Sequence, residues 1–208
     1  MSKRESPPFQ RGETYFGIGG TPDATSGFQH EGQEFDWEDV DLNSTDVGVK
    51  PHRSELPVTT RIVRNVSGFA VLPKRCVNYK STDHGQIDGY CDVTAEGPLV
   101  VVDEYLPSAG CANNDLCHVV VEGPALVSTS LAGTAVNVIN AGDRVVGATA
   151  ATSGATTAGR VEVQNKTITA GSAASDLGNQ IQNAVGVALS AKTTANTAAD
   201  LLISVRRF

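Results

Sequence analysis

The chain has 208 residues, 23 of them acidic and 16 basic, for a formal net charge of −7, with 19% of residues charged, 5% aromatic and 21 glycines. That acidic balance argues against a protein that tracks nucleic-acid phosphates, which needs a basic face. No run approaches the roughly eighteen apolar residues that cross a bilayer, and the basic start Lys3-Arg4 has no apolar stretch after it, so the expectation is synthesis in a cytoplasm without a secretory signal.

Residues 1–56 differ from all that follows. Pro7, Pro8, Pro22 and Pro51 interrupt them, glycines loosen them, and no window sustains a helical or strand period. Charge is segregated: Lys3, Arg4 and Arg11 lead, then Glu31, Glu34, Asp36, Glu38, Asp39, Asp41 and Asp46 follow with no Lys or Arg among them. Four of the six phenylalanines and the single tryptophan fall here. Linkers avoid aromatics, which carry large burial free energy. The segment therefore reads as an extended N-terminal arm that orders against a partner, with Phe9, Tyr15, Phe16, Phe28, Phe35 and Trp37 as its anchors. Extended, it would span on the order of 180 Å. Its acidic middle would suit a basic groove, or would simply be a solvated face.

Residues 57–208 read as a compact all-β body. The β-branched run Val58–Val66 predicts the first strand, Phe69–Leu72 a second, stopped by Pro73, and Ile87–Val93 a third. Leu99–Val102 is a short apolar strand. Asp115–Val127 is the stretch around which the body is organised, broken by Glu122-Gly123-Pro124 as a corner between two buried strands. Cys91, Val93, Glu96, Gly97, Pro98 and Val101 recur in order as Cys117, Val119, Glu122, Gly123, Pro124 and Val127. Ala135–Ile139 alternates as a half-buried strand does, and Arg144–Ala148, Arg160–Val163 and Lys166–Thr169 are further strands. Leu177, Ile181, Val185 and Leu189 would fit a helix, but Gly186 weakens one and the flanking valines favour extended backbone, so a strand is expected from about Ala184. Leu201–Phe208 closes the chain as an alternating strand.

Chemistry is hard to find in this pattern. Cys76, Cys91, Cys111 and Cys117 contain no Cys-x-x-Cys pair, and His118 points to the opposite face of a strand from Cys117, so no metal site is assigned. Buried free thiols are expected, with a Cys111–Cys117 bridge open to the chain in an oxidising medium. Asp83-His84 lies in a polar turn, Gly-x-Ser-x-Gly is absent, and Gly17-Ile18-Gly19-Gly20 lacks both the last glycine and the βαβ setting of a dinucleotide site. The Asp36–Asp41 run lacks the spacing of a calcium loop. No catalytic residue, metal or cofactor is assigned.

Val119–Val127, Asn140–Val146, Val185–Leu189 and the closing Asp200–Val205 together resemble the head decoration, or capsid cement, proteins of tailed phages. The resemblance covers about residues 99–208. It implies a β-barrel-like or tulip-like fold, self-association, often as trimers, and binding to the major capsid protein on the outside of an icosahedral shell. It brings no catalytic residue, nucleic acid, membrane or small-molecule substrate. A long aromatic and acidic arm departs from the smallest members of that family. An alternative is a receptor- or glycan-binding module of a phage tail or fibre, with Tyr79, Tyr90 and Tyr105 as an exposed aromatic platform. A hydrolase with a dispersed site is the third reading.

Overall fold

The computed structural model describes residues 3–4, 31–48, 51–91, 98–129, 138–147, 158–164, 184–192 and 199–206. Among these every regular element is a strand: β1 Lys3–Arg4, β2 Glu34–Val40, β3 His52–Asn65, β4 Cys76–Lys80, β5 Asp83–Tyr90, β6 Leu99–Val102, β7 Leu116–Ser128, β8 Arg144–Gly147, β9 Val161–Val163, β10 Ala184–Ala188 and β11 Asp200–Val205. They join in the order β1-β2-β3-β5-β4-β6-β7-β11-β10-β8-β9, with β3 also pairing β7.

The 13-residue strand β7 is the hub. Its first half pairs with β3 on one edge and β6 on the other, and its second half pairs with β11 from Gly123↔Val205 to Ser128↔Asp200. Apolar residues fill both of its faces, as befits a strand with layers on each side. The Glu122-Gly123-Pro124 corner is therefore a bend inside one strand and does not separate two. Gly123 has φ +97°, and a Cβ there would sit 2.2 Å from the Pro57 carbonyl oxygen of β3, so only glycine lets the two backbones meet.

A short parallel pairing, Arg64↔Gln86 and Asn65↔Ile87, leads from β3 to β5, so hydrogen bonding returns on itself around β3, β5, β4, β6 and β7. The body is all-β, as expected, but as a whole it is not a closed barrel. The sheet runs on past that circuit into β2 and β1 on one side and into β11, β10, β8 and β9 on the other. Successive residues of the shared strands face opposite sides, which splits the interior in two. Val63, Val77, Ile87, Val100, Val102, Cys117 and Val119 lie within the circuit. Ile62, Cys76, Val101 and Val120 point outward, where β2 and β8–β11 cover them.

Several other expectations shift. Phe69–Leu72 is no strand; Val71 makes one bridge to Cys111, and the strand lies later, at β4. β5 starts at Asp83 and ends at Tyr90, so the polar turn is confined to Ser81 and Thr82. Cys91 follows the end of β5 whereas Cys117 is the second residue of β7, and Val93, Glu96 and Gly97 of the 26-position echo lie outside the described residues. The strands expected at Leu99–Val102 and from about Ala184 are present as β6 and β10. At Gly186 a bulge interrupts the pairing of β10 with β8, and a Cβ would meet the Ser204 oxygen at 2.1 Å, which explains the glycine. Lys166–Thr169, Leu177, Ile181 and all but the end of Ala135–Ile139 lie outside the described residues.

Candidate functional site

The segment read as an arm contributes a strand to this sheet. β2 alternates half-buried and buried residues along its whole length, and its register with β3 runs from Glu34↔Arg61 to Glu38↔Pro57. Phe35, Trp37 and Asp39 form its inward row, at 7%, 5% and 2% exposure. Period 2 was present in Glu34–Val40, but the outward row is entirely acidic apart from Val40, and Asp39 interrupts the inward row, so the run looks like a polar tail.

Phe35 and Trp37, expected to anchor a partner, instead pack inside this chain. Their rings lie 5.8 Å apart and both touch the imidazole of His118 on β7, at 5.6 and 6.0 Å between centroids. The Trp37 indole N–H donates to Thr60 Oγ1 at 2.7 Å, and Thr60 Oγ1 is 3.1 Å from His118 Nδ1. That line of contacts crosses β2, β3 and β7 and leaves the indole no apolar face for another molecule. Phe9, Tyr15, Phe16 and Phe28, the other expected anchors, lie outside the described residues.

The acidic row is likewise matched within the chain. Arg61 Nε donates to Glu34 at 3.0 Å, Thr59 Oγ1 donates to Asp36 at 2.9 Å, His52 lies 3.7 Å from Glu38, and Arg64 pairs with Glu31. These are cross-strand neighbours that fix the register of an edge strand. They favour the solvated-face reading over a groove-seeking one.

Beneath β2 lies a charge cluster that sequence spacing did not reveal. Asp39 accepts from Arg53 Nε at 2.9 Å and from Ser54 Oγ at 2.8 Å, and the same guanidinium reaches Glu104 at 2.6 Å. Burial works against the Arg53 charge, but Glu104 and Asp39 more than restore it, so its pKa is raised. Burial raises Glu104 too, against the pull of Arg53. Next along the chain, Asp103 is pushed up to about 8 by burial, to which Glu104 adds. The signal that could have found this cluster is Asp39 itself: an acid in phase with two aromatics must be buried, and a buried acid needs a cation.

Three carboxyls gathered near one arginine, one of them titrating near neutrality, is the pattern that marks many active sites. The space beside them is too small for that. The cavity lined by Trp37, Asp39, Arg53, Asp103 and Glu104 measures about 20 Å³, room for a single water and not for an organic substrate. Asp103 Oδ2 and Glu104 Oε2 are buried with no hydrogen-bond partner among the described residues. Tyr105 donates to the Val40 carbonyl at 2.7 Å and accepts from the Leu42 N–H at 3.3 Å, tying the β2–β3 hairpin to the segment after β6. The cluster is a fastening for β2.

The tyrosines do not build an aromatic platform. Tyr79 and Tyr105 are buried, and Tyr90 is half-buried, its hydroxyl accepting from the Leu72 N–H at 2.9 Å. The edge of β2 away from β3 is paired by the start of the chain. There Lys3↔Asp36 and Arg4↔Trp37 pair in parallel, so the start of the chain lies along the sheet margin. No protein family, curated protein or solved structure matches this chain.

Proposed function

We propose that this chain is a structural protein of a phage virion, one that binds the outside of an icosahedral head and stabilises it by bridging capsomers. It associates with itself, as trimers, and its N-terminal segment latches onto the major capsid protein or a neighbouring subunit. It works without cofactor or substrate. Besides the resemblance in the strands from β6 onward, one observation carries the reading: the first residues of the chain add a strand to the margin of β2. A sheet edge offers unpaired N–H and C=O groups to any extended segment, which gains backbone hydrogen bonds by joining it.

Reach makes such a strand portable. Residues 5–30 separate β1 from the turn that leads into β2, and extended they would span on the order of 85 Å. A compact body of this size has a radius of gyration of about 15 Å. The same terminal strand can therefore be delivered to the equivalent edge of another copy, or to an edge on the shell. Several such links on one oligomer hold by multivalency even when each is weak.

The test is a truncation that spares the fold. Removing residues 1–50 would also remove β2 and its core side chains, so the informative deletion is 1–30. Full-length and truncated protein are mixed with undecorated heads of the phage that encodes the chain and separated on a density gradient. The full-length protein should travel with the heads and the truncated one should lose at least tenfold in occupancy. Undiminished binding of the truncated form overturns the latch, and a full-length protein that ignores heads overturns the whole reading.

A further inference from the structure

The fold sorts the four cysteines, at positions 76, 91, 111 and 117, into two couples. Val77↔Tyr90 is a cross-strand pair of β4 and β5, so the next position outward sets Cys76 against Cys91, and the Cys91 N–H donates to the Cys76 carbonyl at 3.0 Å. Both side chains belong to the outer of the two cores. Cys111 and Cys117 both lie in the inner core, and the Cys111 thiol donates to the Asp115 carbonyl, two residues before Cys117, at 3.5 Å. The loop that carries Cys111 is held by Asn65, whose amide donates to the Cys111 carbonyl at 2.8 Å and whose backbone N–H donates to the Asp115 carbonyl at 2.9 Å. Cys117 is fixed on β7 by its register with Val63.

A layer of sheet separates the couples, because Cys76 and Cys117 project from opposite faces of the strands around the circuit. Of the three ways to pair four cysteines, only one joins thiols that share a core. We infer that this chain has a defined oxidised form, in which Cys76 bonds to Cys91 and Cys111 to Cys117, one disulfide stapling each core.

The reduced form is stable in the fold. Burial and the Cys91 contact raise the Cys76 thiol, and the Cys111 contact and burial raise Cys117, so thiolate is scarce and the folded protein reacts slowly. Oxidation therefore proceeds where the chain opens or folds. With glutathione disulfide as oxidant, a cysteine thiolate attacks one sulfur, expels a glutathione thiolate and forms a mixed disulfide. The partner cysteine then displaces the second glutathione. Each S–S bond formed consumes one S–S bond of glutathione disulfide, which takes up the two electrons and leaves as two thiols carrying the two protons.

The sequence permits a clean map. Full-length protein is unfolded in urea, refolded by dilution into a glutathione and glutathione disulfide mixture, capped with N-ethylmaleimide, and cut with trypsin and an enzyme that cleaves before aspartate. Each cysteine then falls on its own peptide: Cys76–Lys80, Asp88–Cys91, Asp103–Asn114 and Asp115–Gly142. The expected product is the first joined to the second and the third to the fourth, each bond lowering the mass by about 2 Da before digestion. Crossed linkages, or four capped cysteines under conditions that oxidise an unstructured dithiol peptide, overturn the inference. A Cys111→Ser variant gives a second reading: it should keep the Cys76–Cys91 link and cap Cys117, and a scrambled Cys76–Cys117 link would count against the sorting.

Discussion

β7 and β2 flank the same strand, β3, and are held by opposite means. β7 is buried on both faces and its side chains are nearly all apolar. β2 buries one face only, and its other face is a row of acids, each matched to a residue of β3 or its approaches. A central strand is positioned by volume, so its tolerance is steric. An edge strand is positioned by pairing, so its tolerance depends on partners. The sharpest way to break that distinction is at Gly123, where β7 touches β3 most closely. Gly123→Val would force a β-branched residue to φ +97° and press Cβ against the Pro57 oxygen. Positive-φ strain and overpacking together should cost about 4 kcal/mol, seen as a fall in the urea midpoint. A near-neutral outcome would mean that β7 is not sterically pinned.

The next test separates a core residue from a waiting anchor. Trp37→Ala removes a buried indole and leaves the Thr60 hydroxyl without its donor, which should destabilise the isolated protein by about 3 kcal/mol. Trp37→Phe keeps most of the volume and should lose only about 1 kcal/mol. An aromatic side chain held in reserve for a partner would give no loss in the isolated protein, whatever it did to assembly.

The same two strands show how much could be read in advance. β7, β6 and β10 were legible because a run of β-branched residues bounded by Gly or Pro has few other ways to hide its surface. β2 was not, although its alternation was present, because charge hid the period: Glu34, Asp36 and Glu38 meet Arg61, Thr59 and His52 across the ladder with β3. The Asp39, Arg53 and Glu104 cluster was invisible for the same reason, since its members meet only when β2, β3 and the segment after β6 are assembled. Phe69–Leu72 misled in the other direction. It is apolar and β-branched, yet Phe69 is exposed at 44% while Val71 alone bridges to Cys111, so the hydrophobic count was right and the ladder was missing. The Cys111 and Cys117 couple was raised by their short separation, but the Cys76 and Cys91 couple was hidden, because it depends on the register of β4 with β5, which no spacing rule supplies.

The last test concerns the pH behaviour of the fastening below β2, and its sign differs from the losses above. In the unfolded chain Asp103 ionises near 3.8, whereas in the fold burial pushes it up to about 8. Between those values the folded protein keeps a proton that the unfolded chain has released, so this group makes stability fall as pH rises through that window and adds no further slope above it. Glu104 is raised in the same direction and reinforces the trend. Asp103→Asn retains the oxygen that accepts from the Tyr105 N–H at 3.3 Å but carries no charge at any pH. The variant should match the parent only below about pH 4, gain on it as pH rises toward 8, and hold a lead on the order of 5 kcal/mol above about pH 9, measured as the difference between two urea series. Parallel curves would mean that Asp103 is ionised in the fold throughout, with Arg53 serving three carboxylates at once. In that case β2 would be held at its inner end by charge, as it is on its outer face, and the contrast with β7 would be wider than the cluster's burial implies.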